Sequence, residues 1–236
     1  MSRELPILFN TEMVQANLDD RKTATRRLIK PRYQGNECNF QVVTNKATGE
    51  RRIDTVDADG YVCRTGIKPP YQPGDILYAR ETWAFAKCIT CNGEYRRKGS
   101  PVNCYDYQAV EYDDGDSISD GCFIYRADHQ HPERIIWRPS IHMPKAAARI
   151  WLKVTDVKPQ RLQDMTLDDF LKEGIILLPE AFNDPENTYM QARSEFIQLW
   201  DSTIPKRQQD IYSWDANPWV WATEFERCEE PEREAK

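Results

Sequence analysis

Short apolar segments, parted by irregular polar loops rather than by regular crossover helices, constrain the fold of this chain more than any other feature. Leu5-Pro6-Ile7-Leu8-Phe9 reads as a strand whose proline suits an edge or a first strand position. The turn Pro73-Gly74-Asp75 launches the apolar run Ile76-Leu77-Tyr78-Ala79, and Cys122-Phe123-Ile124-Tyr125 is another such run. Residues 149–157 alternate, with Ile150, Leu152 and Val154 on one face. Residues 219–226 place Trp219, Trp221 and Phe225 together in the same way.

Helical patterns are fewer. Asn10 or Thr11 can cap a helix running to about Asp20, with Val14 and Leu18 on its apolar side. Thr166 caps a short helix striped by Leu167, Phe170 and Leu171 and stopped at Gly174. Asp184-Pro185 opens a longer one, whose buried stripe is Tyr189, Ala192, Phe196, Leu199 and Trp200. Strands outnumber helices, which disfavours a doubly wound α/β fold. The predicted class is α+β, a mixed β-barrel with two or three flanking helices.

The chain has 236 residues, which suits one domain with insertions. Residues 33–70 and 86–120 are polar and irregular, and read as those two insertions in a single domain spanning 1–236. Beyond Arg227 the chain turns acidic, and residues 228–236 read as a frayed tail. There is no run of 18 apolar residues, so no membrane span is expected. The start, MSRELPILFN, lacks a signal-peptide core, which predicts a cytoplasmic chain. Seven cysteines, an odd number, agree with a reducing compartment.

Net charge is -6, so the chain is no general nucleic-acid coat. The charge is uneven, however. Arg21, Lys22, Arg26, Arg27, Lys30 and Arg32 crowd together and suit an anionic or polar ligand. Cys88-x-x-Cys91, followed by Cys104 and Cys122, could hold a structural zinc ion and fold the second insertion. Free reduced thiols are the alternative, because the second pair lacks C-x-x-C spacing. There is no P-loop, Rossmann glycine fingerprint or H-E-x-x-H, and no cofactor is required by the chemistry considered below.

Three stretches together resemble an ASCH domain of the PUA-like superfamily. They are Asp19-Asp20-Arg21-Lys22-Thr23-Ala24-Thr25-Arg26-Arg27, close to a G-x-K-T-x-T-x-R motif, then Pro73-Gly74-Asp75-Ile76-Leu77, and then Leu171-Lys172-Glu173-Gly174-Ile175 with the closing Trp219–Phe225 strand. Arg80-Glu81-Thr82-Trp83 and the segment from Trp137 to Pro144 extend the likeness to the larger ASCH-type proteins common in phages and prophages. The resemblance covers residues 5–32, 71–84, 122–176 and 190–227, and Asp20 stands where glycine is usual. It implies a PUA-like barrel that holds RNA, a nucleoside or a modified base in a cleft. In one subgroup it implies an amidohydrolase acting on N4-acetylcytidine. Carried over by motif, the catalytic residues implied are Lys22, Thr25 and Glu173.

The residue chemistry fits that implication in part. A threonine hydroxyl needs a neighbour to take its proton. Lysine can do so only when its pKa falls, and burial and nearby cations such as Arg21, Arg26 and Arg27 both lower it. Lys22 and Thr25 can meet in a loop or helical turn, whereas in a flat strand they would point to opposite faces. Glu173 falls at a predicted helix C-terminus, where the dipole favours the protonated form and a general-acid role. The plain alternatives are a solvated basic turn and a surface helix residue.

Arg80 and Glu81 either line the cleft or form a buried ion pair. His142, in a stiff segment with Arg138 and Ser140, either contacts ligand or fixes the loop. Trp83 and Trp137 border polar motifs and are the better base-stacking candidates. Two further readings remain open: a non-catalytic reader of RNA or a modified base, and an interaction protein whose insertions bind a protein partner.

Overall fold

The structure is a computed structural model that describes residues 2–29, 39–44, 47, 51–57, 59–88, 110–112, 122–128, 137–178 and 184–231. In chain order the elements are β1 (Glu4–Leu8), α1 (Thr11–Leu18), β2 (Ala24–Leu28), β3 (Asn39–Thr44), β4 (Arg51–Val56), β5 (Val62–Ile67), β6 (Ile76–Arg80), β7 (Trp83–Cys88), β8 (Val110–Tyr112), β9 (Cys122–Tyr125), β10 (Trp151–Arg161), α2 (Leu167–Lys172), α3 (Pro185–Thr203), α4 (Gln209–Tyr212) and β11 (Trp219–Cys228). The class is mixed α+β, as expected. Among the described residues no sheet closes into a barrel, and there are four α-helices rather than two or three. No helix of the described residues is long and apolar enough to cross a membrane.

The chain divides into two compact units. One comprises Met1–Asp19, Ile76–Leu152 and Arg227–Lys236, the other Asp20–Asp75 and Lys153–Glu226. In the first unit β1 runs parallel to β6, from Glu4 opposite Ile76 to Leu8 opposite Arg80. The proline of β1 sits on this edge strand, where a missing N–H costs no ladder bond. Asn10 caps α1 by accepting from the Met13 N–H at 2.8 Å. β7 lies between β8 and β9 in a small antiparallel sheet, and Trp83, Phe123, Tyr125, Met143 and Ala147 pack as a core against it.

In the second unit β2 pairs antiparallel with β11, with Thr25 opposite Thr223 and Arg27 opposite Trp221. β3, β4 and β5 form a three-stranded meander inside the first expected insertion. An apolar cluster joins α2 and α3 to the start of β11 through Phe170, Phe196, Trp200, Trp214 and Val220. α2 begins with a full capping box between Thr166 and Asp169. It ends at Gly174, whose φ of 91° is the left-handed conformation that a helix stop requires. Asp20 also lies in the left-handed region, at φ 56°. Aspartate is among the few side chains other than glycine that tolerate it.

Strand β2 has no apolar alternation in its sequence, Ala-Thr-Arg-Arg-Leu. It is a strand because β11 supplies its ladder and α2 supplies partners for its arginine. β11 is longer than expected and runs to Cys228. Residues 89–109 and 113–121, most of the second expected insertion, and residues 232–236 of the expected tail lie outside the described residues.

Candidate functional site

The segment before β2 docks on the C-terminal end of α2 within the second unit. A helix leaves its last carbonyls without intrahelical donors, and its dipole makes that end negative. Three successive residues meet this need. Thr23 N–H donates to the Lys172 carbonyl at 2.8 Å, Lys22 Nζ to the Glu173 carbonyl at 2.9 Å, and Arg21 Nη1 to the Gly174 carbonyl at 2.6 Å. Local helix chemistry thus places the basic motif.

Lys22 Nζ also meets Glu173 Oε2 at 2.5 Å, joining residues 151 apart in sequence. The Lys22 side chain has no exposed surface and that of Glu173 has 3%. Arg26 Nη1 donates to the other carboxylate oxygen, Oε1, at 3.1 Å. Arg26 Nη2 pairs with Asp169 Oδ1. Asp169 Oδ2 in turn accepts from the Thr166 N–H and hydroxyl, each at 2.9 Å. Two cations and two carboxylates therefore form one buried network on the C-terminal side of α2.

Its electrostatics follow from burial against pairing. Burial pulls the Lys22 ammonium below its ordinary range; Glu173 opposes this, while Arg27 and Arg26 add to it, and the net direction is down. Burial resists ionisation of Glu173, but Lys22 and Arg26 outweigh it by charge and hydrogen bonding, and the carboxyl sits below the usual carboxylate range. The raised carboxyl expected from the helix C-terminus is therefore not found, because two cations cover the negative end of the dipole. Glu173 is a resting carboxylate. It can accept a proton first and only then donate one.

Thr25 lies inside β2 and is buried. Strand alternation sends it to the face opposite Arg26, alongside Arg27 and facing Thr223 and Trp221 on β11. The Thr223 hydroxyl on this face is wholly buried with no hydrogen-bond partner. Of the candidate residues, the structure brings Lys22, Arg21, Arg26 and Glu173 together, and strand alternation puts Thr25 on the face of β2 opposite Arg26.

The remaining candidates belong to the first unit. Glu81 is a buried ion-pair residue there. Its carboxylate takes both Arg149 Nε and Nη2, at 2.8 and 2.9 Å, and Arg149 Nη1 also binds Asp128 at 2.7 Å. The Arg149 guanidinium lies 4.0 Å from the Tyr125 ring centre. Burial raises the Glu81 carboxyl despite this pairing, and the two carboxylates hold the Arg149 guanidinium above its usual range, outweighing burial.

Trp83 is buried, packs against Phe123 at 5.7 Å, and carries the Arg138 guanidinium over its ring at 5.3 Å. The Trp83 ring is thus occupied by protein rather than open to a base; Trp137 is half-buried. Arg80 Nη1 donates to the Ile141 carbonyl at 3.1 Å, within the short 3-10 turn Ser140–His142, where Ser140 is half-buried and His142 exposed.

Cys91 and Cys104 lie outside the described residues, and Cys88 and Cys122 are described only as backbone on β7 and β9. Among the described residues no group of three or more His, Cys, Asp or Glu is arranged to hold a metal ion.

Sequence reasoning did not single out Asp169, Arg149, Asp128 or Thr223. The spacing Thr166-x-x-Asp169 was a usable signal for the first. The partnership of Glu81 with Arg149, 68 residues apart, left no local trace. No known protein family, curated protein or solved structure matches the chain.

Proposed function

We propose that this chain is an ASCH-type protein of PUA-like architecture that binds a nucleoside or modified base and hydrolyses an N4-acyl amide of the cytidine type. The observation that carries the reading is the buried contact of Lys22 with Glu173 at 2.5 Å. It joins, across the chain, two residues that the motif resemblance pairs in catalysis. A lysine pulled down by burial supplies a larger neutral fraction near neutral pH than an exposed one, which a base requires.

In this reading a hydroxyl, that of Thr25 or of water, attacks the acyl carbon. Neutral Lys22 takes the hydroxyl proton, and the Lys22–Glu173 contact relays a proton to the leaving exocyclic amine. If Thr25 is the attacking group, its acyl ester is then hydrolysed by water, which restores the hydroxyl and releases the acid.

The test is turnover of N4-acylated cytidines by the wild type and by Lys22→Ala, each checked for folding. Cytidine from the wild type alone supports the reading. Equal product from both removes Lys22 from the mechanism. A second reading, a base or RNA reader without turnover, is favoured by one observation: both Glu173 oxygens are already taken by cations. Binding without product in a folded wild type would select it.

A further inference from the structure

The geometry points to a second ligand site, a phosphate-binding surface in the first unit built by Arg80, Arg138 and the turn Ser140–His142. It uses none of the residues of the Lys22 network and does not depend on amide hydrolysis.

The first ground is unmatched positive charge. Among the described residues neither Arg80 nor Arg138 has a carboxylate partner. Three described acids of the same unit are committed elsewhere: Glu81 and Asp128 bind Arg149, and Glu4 binds Lys145. Arg80 and Arg138 are both half-buried residues.

The second ground is that both are held in place by the same short segment. Arg138 exchanges backbone hydrogen bonds with Trp83, at 2.7 and 3.2 Å, and stacks on its ring. Arg80 is tied to the Ile141 carbonyl, three residues further along. The turn between them is rigid, closed by His142 N–H to the Pro139 carbonyl at 3.0 Å and Met143 N–H to the Ser140 carbonyl at 3.1 Å. Pre-positioned arginines lose little freedom on binding, and their forked donors match phosphate oxygens.

The third ground is unmet donors. Arg80 Nε is buried without an acceptor, and so is the indole N–H of Trp83. Every unsatisfied group here is a donor, so the missing partner is an acceptor, and a ligand rich in acceptor oxygens supplies several at once. The Ser140 hydroxyl and the exposed His142 ring stand on the same turn.

The probe set is inorganic phosphate, cytidine, cytidine monophosphate and a short oligocytidylate, measured by equilibrium dialysis against the full chain at low and high salt. Cytidine monophosphate is expected to bind more tightly than cytidine, and inorganic phosphate to compete with it. Arg80→Gln and Arg138→Gln are each expected to weaken the phosphate-dependent part about tenfold or more, while cytidine binding stays unchanged. Competition by inorganic phosphate assigns the site to a terminal phosphate; tight binding of the oligocytidylate alone assigns it to a strand backbone. Arg138→Lys, which keeps the charge over Trp83, guards against loss of fold and is expected to retain part of the binding. Equal affinity of cytidine and its monophosphate in the wild type overturns the site. So does phosphate-dependent binding that survives in folded Arg80→Gln and Arg138→Gln.

Discussion

Each compact unit buries a cluster of acids and bases, and the two clusters solve the same problem differently. In the first unit one arginine serves two carboxylates, with Glu81 gripped bidentately and Tyr125 covering the guanidinium face. Arginine does not give up its proton in proteins, so this cluster is a fixed clamp. In the second unit the central cation is a lysine, wholly buried, beside a second cation and a resting carboxylate. Lysine does lose its proton when burial is strong enough. Similar density of charge therefore gives a structural clamp where the cation is Arg149, and a site that can exchange a proton where it is Lys22.

The contrast breaks first at the largest expected effect. Arg149→Leu leaves Glu81 and Asp128 buried without their cation and is expected to cost about 3–5 kcal/mol of stability, read by urea unfolding. A loss below about 1 kcal/mol would mean that the clamp is not structural. Glu173→Gln is expected to cost less, about 2 kcal/mol, because Lys22 can respond by deprotonating whereas Arg149 cannot. If the second variant proved the less stable of the two, the distinction between clamp and proton site would fail.

The pH dependence sharpens it further. Lys22 has a lowered pKa, so between that value and its ordinary 10.5 the unfolded chain binds more protons than the folded one. The stability contributed at this position should therefore rise with pH across that window. Glu173 is also lowered, so its contribution is present above its ordinary 4.5 and is lost as pH falls through its folded value. Glu81 is raised, which reverses the sign: its contribution falls as pH rises from 4.5 to its folded value. Thermal melts of the wild type against Lys22→Met, Glu173→Gln and Glu81→Gln across pH separate the three slopes.

The smallest expected effect concerns the far face of β2. Thr223→Val removes a buried hydroxyl that has no partner while keeping its shape, and should stabilise the protein by about 1 kcal/mol. A loss of stability instead would show that the hydroxyl is satisfied in solution, by water or by a ligand.

Much of the frame is legible in the sequence, for a physical reason. Ile150, Leu152 and Val154 are legible because all three are buried at the start of β10 and just before it, and the Thr166 and Asp184 caps announce α2 and α3 through local hydrogen bonds. β2 is not legible. Its two arginines break the apolar pattern, and Arg26 is tolerated because Asp169 and Glu173 come from an element more than 140 residues away. The candidate site divides on the same line. Motif spacing points to Lys22 and Glu173, but the sign of the Glu173 shift depends on which cations surround it. Whether Thr25 shares their face depends on a strand that only β11 creates.

The most direct test of the central claim is an NMR titration of Lys22, with its side-chain carbon assigned by comparison with Lys22→Met. A midpoint below 10.5 that falls further in Glu173→Gln is the expected result: burial pulls the ammonium down and Glu173 holds it up. A midpoint at or above 10.5, or one indifferent to Glu173, would contradict the claim and leave Lys22 as a structural cation.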